Sequence, residues 1–293
     1  MNRSISSKIS LGTAQFGLPY GVANQGGQLS LIQSKDIVNL ARRSGIDKID
    51  TAIAYGNCEE VLGKIGVANL NIITKISEEK IEIDDINIWM KQQIGGSIDR
   101  LGVLRLYAVM LHSTSMLSSD NGIKYWNTLE ELKDQGVIEK IGFSIYNPSE
   151  LDSHYNNYHP DIIQAPYNMI DNRLEASGWL QKLSDDSVEI HVRSIFLQGL
   201  LLMRQDQRPA YFNKWDKLLC NWDSWLVSEN LTALEAALWF ALKDNRITNV
   251  VVGVDSEEQL QEIIDISEKK IEVKQPDFTS LDIKLINPSE WLL

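Results

Sequence analysis

The chain has 293 residues, 43% of them apolar, and a formal net charge of −12. So acidic a chain lacks the basic face that nucleic acid or an anionic membrane surface requires, although a local cationic pocket for a phosphate stays compatible with it. Cys58 and Cys220 form no C-x-x-C pair, so neither a disulfide framework nor a zinc knuckle is expected. The start of the chain has no long apolar run and no stretch is apolar for long enough to cross a bilayer, so a reducing, cytoplasmic setting is the expectation.

Short apolar runs alternate with longer amphipathic ones. Strands are predicted at Ile9–Gly12, 46–50, 71–75, 104–112, 137–144, 161–165, 188–195 and Asn249–Gly253. Helices are predicted at 34–44, 58–64, 85–101, 123–135, 148–153 with Asn147 as N-cap, 173–183, 232–243 and 257–266. Eight strand–helix units with no linker predict a single α/β domain over 1–293, a (β/α)8 TIM barrel. A doubly wound sheet is the alternative, but the turn after the first strand carries no G-x-G-x-x-G. Two pieces exceed the eight units: an extra helix after strand 7, within 203–229, and a C-terminal tail after Lys270. In the first, Trp215, Leu218, Leu219, Trp222, Trp225 and Leu226 fall at helical spacing and predict an apolar stripe packed on the barrel. A substrate contact by one tryptophan is the rival reading.

Active sites of such barrels lie at the C-terminal ends of the strands. Asp50, Lys75 and His112 end the second, third and fourth strands, and Tyr55 follows on the loop after Asp50. A phenol beside an ammonium, with a carboxylate to hold the ammonium and an imidazole to orient the substrate, can protonate a carbonyl oxygen while a cofactor delivers hydride. In this reading Lys75 lowers the pKa of Tyr55, the proton donor. Any one of the four could instead be packing, capping or a solvated strand end. A metal-dependent hydrolase using Asp50, His112 and His191 is another alternative, but no metal-ligand spacing is present and no metal is expected.

The run DTAIAYG (50–56), the strand NIITK (71–75), the strand ending VMLH (109–112), LGTAQFG (11–17), LEELKDQGVIEKIGFS (129–144) and the segment 250–263 resemble the aldo-keto reductase superfamily over nearly the whole chain. The resemblance implies an NAD(P)H-dependent reductase of aldehydes or ketones with Asp50, Tyr55, Lys75 and His112 as its tetrad. A cofactor-binding regulatory protein of the same fold with little turnover is the alternative. The resemblance further implies an extended cofactor, its carboxamide held by Ser144 and Gln164, with Gly12 and Thr13 lying under the cofactor near Asp50. Arg193 departs from the family's usual stacking aromatic, yet its guanidinium plane can stack on the ring, with Ser194 beside it. Backbone N–H groups of Leu197 and Gly199 are expected at the pyrophosphate. Gly253 and Gln259 stand where NADPH-specific members carry a lysine and an arginine. Ser256 can still hold a 2′-phosphate and Glu262 faces the adenine, so NADP(H) is favoured narrowly over NAD(H). Phe16, Tyr20, Tyr55, His112 and Tyr146, with Tyr167 as a further rim aromatic, suggest a polar small-molecule carbonyl substrate such as a sugar.

Overall fold

The computed structural model describes residues 5–22, 24, 26–78 and 85–292. Residues 1–4, 23, 25, 79–84 and 293 lie outside the described residues. Eight parallel strands close into a barrel in sequence order: β1 (Ile9–Gly12), β2 (Lys48–Asp50), β3 (Asn71–Ile76), β4 (Leu106–Leu111), β5 (Ile138–Ser144), β6 (Ile162–Pro166), β7 (Glu189–Arg193) and β8 (Asn249–Gly253). The period of two in each strand separates two layers. Outward residues such as Leu11, Ile49, Ile72, Val109, Phe143, Ile163, Val192 and Val250 join the large core against the helices. Ile73, Ala108, Met110 and Ile162 form a separate, small cluster inside the barrel.

The interior is polar at both ends. Toward the strand N-termini, Glu189 Oε1 accepts from Tyr107 Oη and from Lys140 Nζ, each at 2.7 Å. At the other end the register aligns Gly12 with Asp50 and Gly253, Ser144 with Gln164, and Pro166 with Arg193. These pairings bring the polar strand ends onto one rim.

Several helix boundaries differ from expectation, each for a local reason. The first long helix starts earlier, at Leu31, because Ser30 and Gln33 form a capping box. The helix expected at 148–153 runs Ser149–Tyr158 with Pro148, not Asn147, at its N-cap, although Asn147 Oδ1 accepts from Ser149 N at 3.1 Å just before it. The segment 173–183 is two short helices, Arg173–Ala176 and Trp179–Asp185, broken at Gly178, whose φ of +83° is left-handed. β7 stops at Arg193 rather than 195, because Ser194 turns the backbone to φ +59°.

The expected extra helix is Asp216–Glu229. Leu219, Trp222 and Leu226 are buried, and Trp222 Nε1 donates to Leu201 O at 3.2 Å. The tail packs on this insertion: Tyr211 Oη donates to Lys284 O at 2.9 Å, and Trp291 meets Phe212 at a ring separation of 4.8 Å. The tryptophan stripe is therefore packing, the first of its two readings. Among the described residues, no helix is long and apolar enough to cross a membrane.

Candidate active site

An ion pair buried under the rim anchors the site. Lys75 is 1% exposed, and its Nζ lies 2.6 Å from Asp50 Oδ1 while also donating to Thr51 O at 3.0 Å. The other Asp50 oxygen accepts from Gln164 Nε2 at 2.7 Å. A buried pair of this kind is tolerable only when the remaining lone pairs are satisfied, and here they are. From behind, Thr13 fixes the backbone of Asp50, donating to its carbonyl through both N (3.0 Å) and Oγ1 (2.9 Å). Burial pushes the Lys75 pKa down, against the pull of Asp50.

Two glycines place Tyr55. A Cβ on Gly17 would sit 1.8 Å from Tyr55 O, and one on Gly56 would sit 2.5 Å from Gly17 O. Gly56 also has φ +59°. Only glycine lets these two backbones cross so closely, and the crossing fixes the loop between β2 and the helix Cys58–Ile65. The Tyr55 ring centre lies 5.6 Å from Lys75 Nζ and 5.8 Å from the His112 ring, edge-on at 75°. Three members of the expected tetrad thus meet at the fourth, Tyr55.

The expected lowering of the Tyr55 pKa is not found. Burial, reinforced by the negative charge of Asp50, raises it well above that of a free phenol, and Arg193 opposes the rise only in part. Removing water disfavours phenolate more than the nearby cations favour it. Tyr55 is therefore a protonated phenol in the resting site. His112 is shifted the other way: burial, then Lys75 and Arg193, lower its pKa to about 4, so the imidazole is neutral at pH 7. Its Nδ1 lies 3.0 Å from Ser77 Oγ.

A cleft of about 510 Å³ begins at Tyr55 and reaches the start of the helix Glu257–Ser267. Of the expected cofactor residues, Gly12, Thr13, Asp50, Gln164, Arg193, Ser194, Gly199, Gly253, Gln259 and Glu262 line it, as do Tyr20 and Tyr55 of the expected substrate residues; His112 and Tyr146 stand outside the lining. Ser144 is buried beside Gln164 in register, behind the wall. Ser256 caps the helix, accepting from Gln259 N at 3.3 Å. Phe16 is fully buried in the core, so its ring cannot meet a substrate. Tyr167 is buried as well, stacked at 4.8 Å on Phe240.

The turn after β7 corrects another expectation. Ser194, Leu197, Gln198 and Gly199 all have positive φ. The turns they form consume the N–H of Leu197 on Ser194 O and that of Gly199 on Phe196 O, both at 2.9 Å. Those two groups are not free for a phosphate, and the Leu197 side chain is buried. Ile195, Phe196 and Gln198 of the same turn line the cleft.

Arg193 has a neighbour the sequence did not reveal. Its Cζ lies 4.6 Å above the Tyr146 ring, and its Nη2 donates to Ile145 O at 3.0 Å. Tyr146 thus backs the guanidinium. Among the described residues lining the cleft, Arg193 is the only cation, against Asp50, Asp255 and Glu262. At the far end Asn24 Nδ2 reaches Asp255 Oδ1 at 3.4 Å, and Arg43 is paired with Glu257 at 3.1 Å. His191, on the same strand as Arg193, is fully buried, with Nε2 3.4 Å from Glu189 Oε2. Among the described residues no three His, Cys, Asp or Glu side chains gather as metal ligands.

Comparison with known proteins gives one consistent result. A profile described as the aldo/keto reductase family matches residues 8–286. The chain is 25% identical over 291 aligned positions to the NADH-specific methylglyoxal reductase of Escherichia coli, spanning 87% of this chain and 88% of that protein. It is 24% identical to an uncharacterised oxidoreductase of Bacillus subtilis, spanning 78% of this chain and 80% of that one. Among solved structures, the holo form of an aldo-keto reductase from Bacillus halodurans superposes with a TM-score of 0.74 at 20% identity, covering 91% of this chain and 88% of its own.

Proposed function

Because the chain belongs to the aldo/keto reductase family, and is thus an oxidoreductase of that family, we propose that it reduces a small polar aldehyde or ketone to the alcohol, with Tyr55 as proton donor and the whole chain as one catalytic unit. The observation that carries this reading is the meeting of His112 with Tyr55 beside the buried Lys75–Asp50 pair, where Tyr55 and Asp50 line a long cleft.

The cleft fits a nicotinamide dinucleotide. Gln164 donates one amide N–H to Asp50, which turns its carbonyl oxygen away from that carboxylate and leaves it to accept from a carboxamide. Arg193, backed by Tyr146, can support an aromatic ring on its other face. When bound, the nicotinamide supplies the hydride, and the remaining chemistry falls to the side chains. His112, neutral, donates a hydrogen bond to the carbonyl oxygen and directs it. Tyr55 holds its proton until hydride addition turns that oxygen into an alkoxide far more basic than phenolate. It then gives the proton up, and the Lys75 ammonium stabilises the phenolate left behind. The high resting pKa of Tyr55 suits this order of events.

The cofactor preference expected from the sequence, narrowly NADP(H), moves to NADH. Asp255 lines the cleft near its adenine end, where a carboxylate can accept from ribose hydroxyls and repels a 2′-phosphate. Arg43, a nearby cation, is already held by Glu257. The NADH-specific relative supports the same choice.

The test is turnover of methylglyoxal and a panel of aldehydes, ketones and sugars, followed at the nicotinamide absorbance with NADH and with NADPH. Reduction lost in Tyr55→Phe, with cofactor binding retained, supports the assignment. Cofactor binding without turnover of any carbonyl would instead make the chain a nucleotide-binding regulator.

A further inference from the structure

The residue facing His112 bears on which of its nitrogens carries the proton. The loop after β3 puts Ser77 two positions beyond Lys75, and Ser77 Oγ lies 3.0 Å from His112 Nδ1. The His112 main chain is fixed separately, its N–H donating to Ile76 O at 2.8 Å. Lys75 and Arg193 both bear on the ring and disfavour a third positive charge. A neutral imidazole has one N–H, at either Nδ1 or Nε2, and the group opposite one nitrogen selects the state of the other. A carboxylate or backbone carbonyl at Nδ1 would only accept and would draw the proton there, leaving Nε2 a bare lone pair that repels a carbonyl oxygen. A hydroxyl can accept from a protonated Nδ1 or donate to a bare one, so Ser77, unlike a carboxylate or carbonyl, is compatible with the Nε2–H form.

We propose that Ser77 is a positioning residue whose O–H donates to His112 Nδ1, fixing the imidazole in the Nε2–H form that can hydrogen-bond a substrate carbonyl. This rests on the reductase reading for its use, but the tautomer itself can be observed without any substrate. Nothing in the tetrad pattern marks Ser77, since its contribution passes entirely through His112.

The experiment is 15N NMR of ring-labelled histidine in the NAD⁺-bound protein at neutral pH, with His112 assigned by loss of its signals in His112→Gln. The expected spectrum has a protonated Nε2 and an unprotonated, hydrogen-bonded Nδ1. In Ser77→Ala the two His112 signals should move toward a mixture of tautomers. Methylglyoxal reduction with NADH should then fall about tenfold, mainly in kcat, with NADH affinity unchanged, the low end of the loss seen when a metal-bound histidine loses its orienting partner. Ser77→Thr keeps the hydroxyl and should restore both spectrum and rate. A wild-type His112 protonated at Nδ1, or a Ser77→Ala spectrum identical to wild type, would overturn the proposal. Failure of the wild-type protein to reduce any carbonyl would count against the reductase reading alone, since the spectrum would still decide the tautomer.

Discussion

At the scale of single residues, the site works by keeping charges where they are and protons where they are needed. Lys75 and Asp50 neutralise each other out of water, and Tyr55 and His112 are both neutral beside them. With Tyr55 in its proposed role of proton donor, Tyr55→Phe removes only the transferable proton. A fall in kcat of at least 100-fold is expected, within the usual range for general acid catalysis, while the dissociation constant of NADH measured by fluorescence should not change. The pH behaviour of His112 follows from its lowered pKa. In the unfolded chain a histidine takes up its proton near pH 6.5, whereas folded His112 resists until about 4. Between those values the unfolded state binds more protons, so the stability contributed by neutral His112 is present above pH 6.5 and is lost as pH falls toward 4. Denaturant melts across that window should show stability declining with acid. The decline should be shallower in His112→Gln. An identical slope would mean that His112 titrates normally in the folded protein.

At the scale of elements, backbone crossings position these side chains. Gly17 lies within van der Waals distance of the Tyr55 carbonyl, and no side chain fits between them. Gly17→Ala should force the loop after β2 outward, destabilise the fold by about 1–3 kcal/mol as overpacking does, and reduce kcat more than cofactor affinity. Thermal melts beside steady-state kinetics would check both. The strands and their order were legible in the sequence because each is a short apolar run between amphipathic ones, and Asp50, Lys75 and His112 were legible because they end such runs. What the sequence hid was backbone geometry and pairing at a distance. Four residues with positive φ after β7 closed the Leu197 and Gly199 N–H groups into turns, although three of the four are not glycine. The stack of Arg193 on Tyr146 joins β7 to the loop after β5, a contact no local pattern encodes. Phe16 and Tyr167 read in the sequence as rim aromatics, and the packing of neighbouring elements puts both in the core. The sign of the Tyr55 shift depended on burial, which a list of nearby charges does not contain.

At the scale of the molecule, the acidic surplus bears on the proposed choice of cofactor. The chain carries a net charge of −12, and the end of the cleft proposed to hold the adenine adds to that field rather than opposing it, with Asp255 and Glu262 on the wall and Glu257 and Glu258 opening the adjacent helix. NADPH brings a further phosphate into this field, and NADH does not. Arg43 is the cation that could offset the difference, yet it comes from the end of the helix Leu31–Arg43 and is bound to Glu257. Both partners are largely solvent-exposed, so their ion pair is weak and can be released at little cost to the fold. Glu257→Gln removes one negative charge and frees one guanidinium at the same place. The ratio of NADPH to NADH affinity should therefore rise, by about three- to tenfold at low ionic strength, with stability nearly unchanged. Adding salt should shrink the gain, because exposed charges are screened over about 10 Å at 0.1 M. A double substitution, Arg43→Ala with Glu257→Gln, separates the two contributions. If it keeps the full gain, lost repulsion alone is responsible. If it returns the ratio toward that of the native protein, Arg43 is the phosphate contact that Glu257 otherwise withholds.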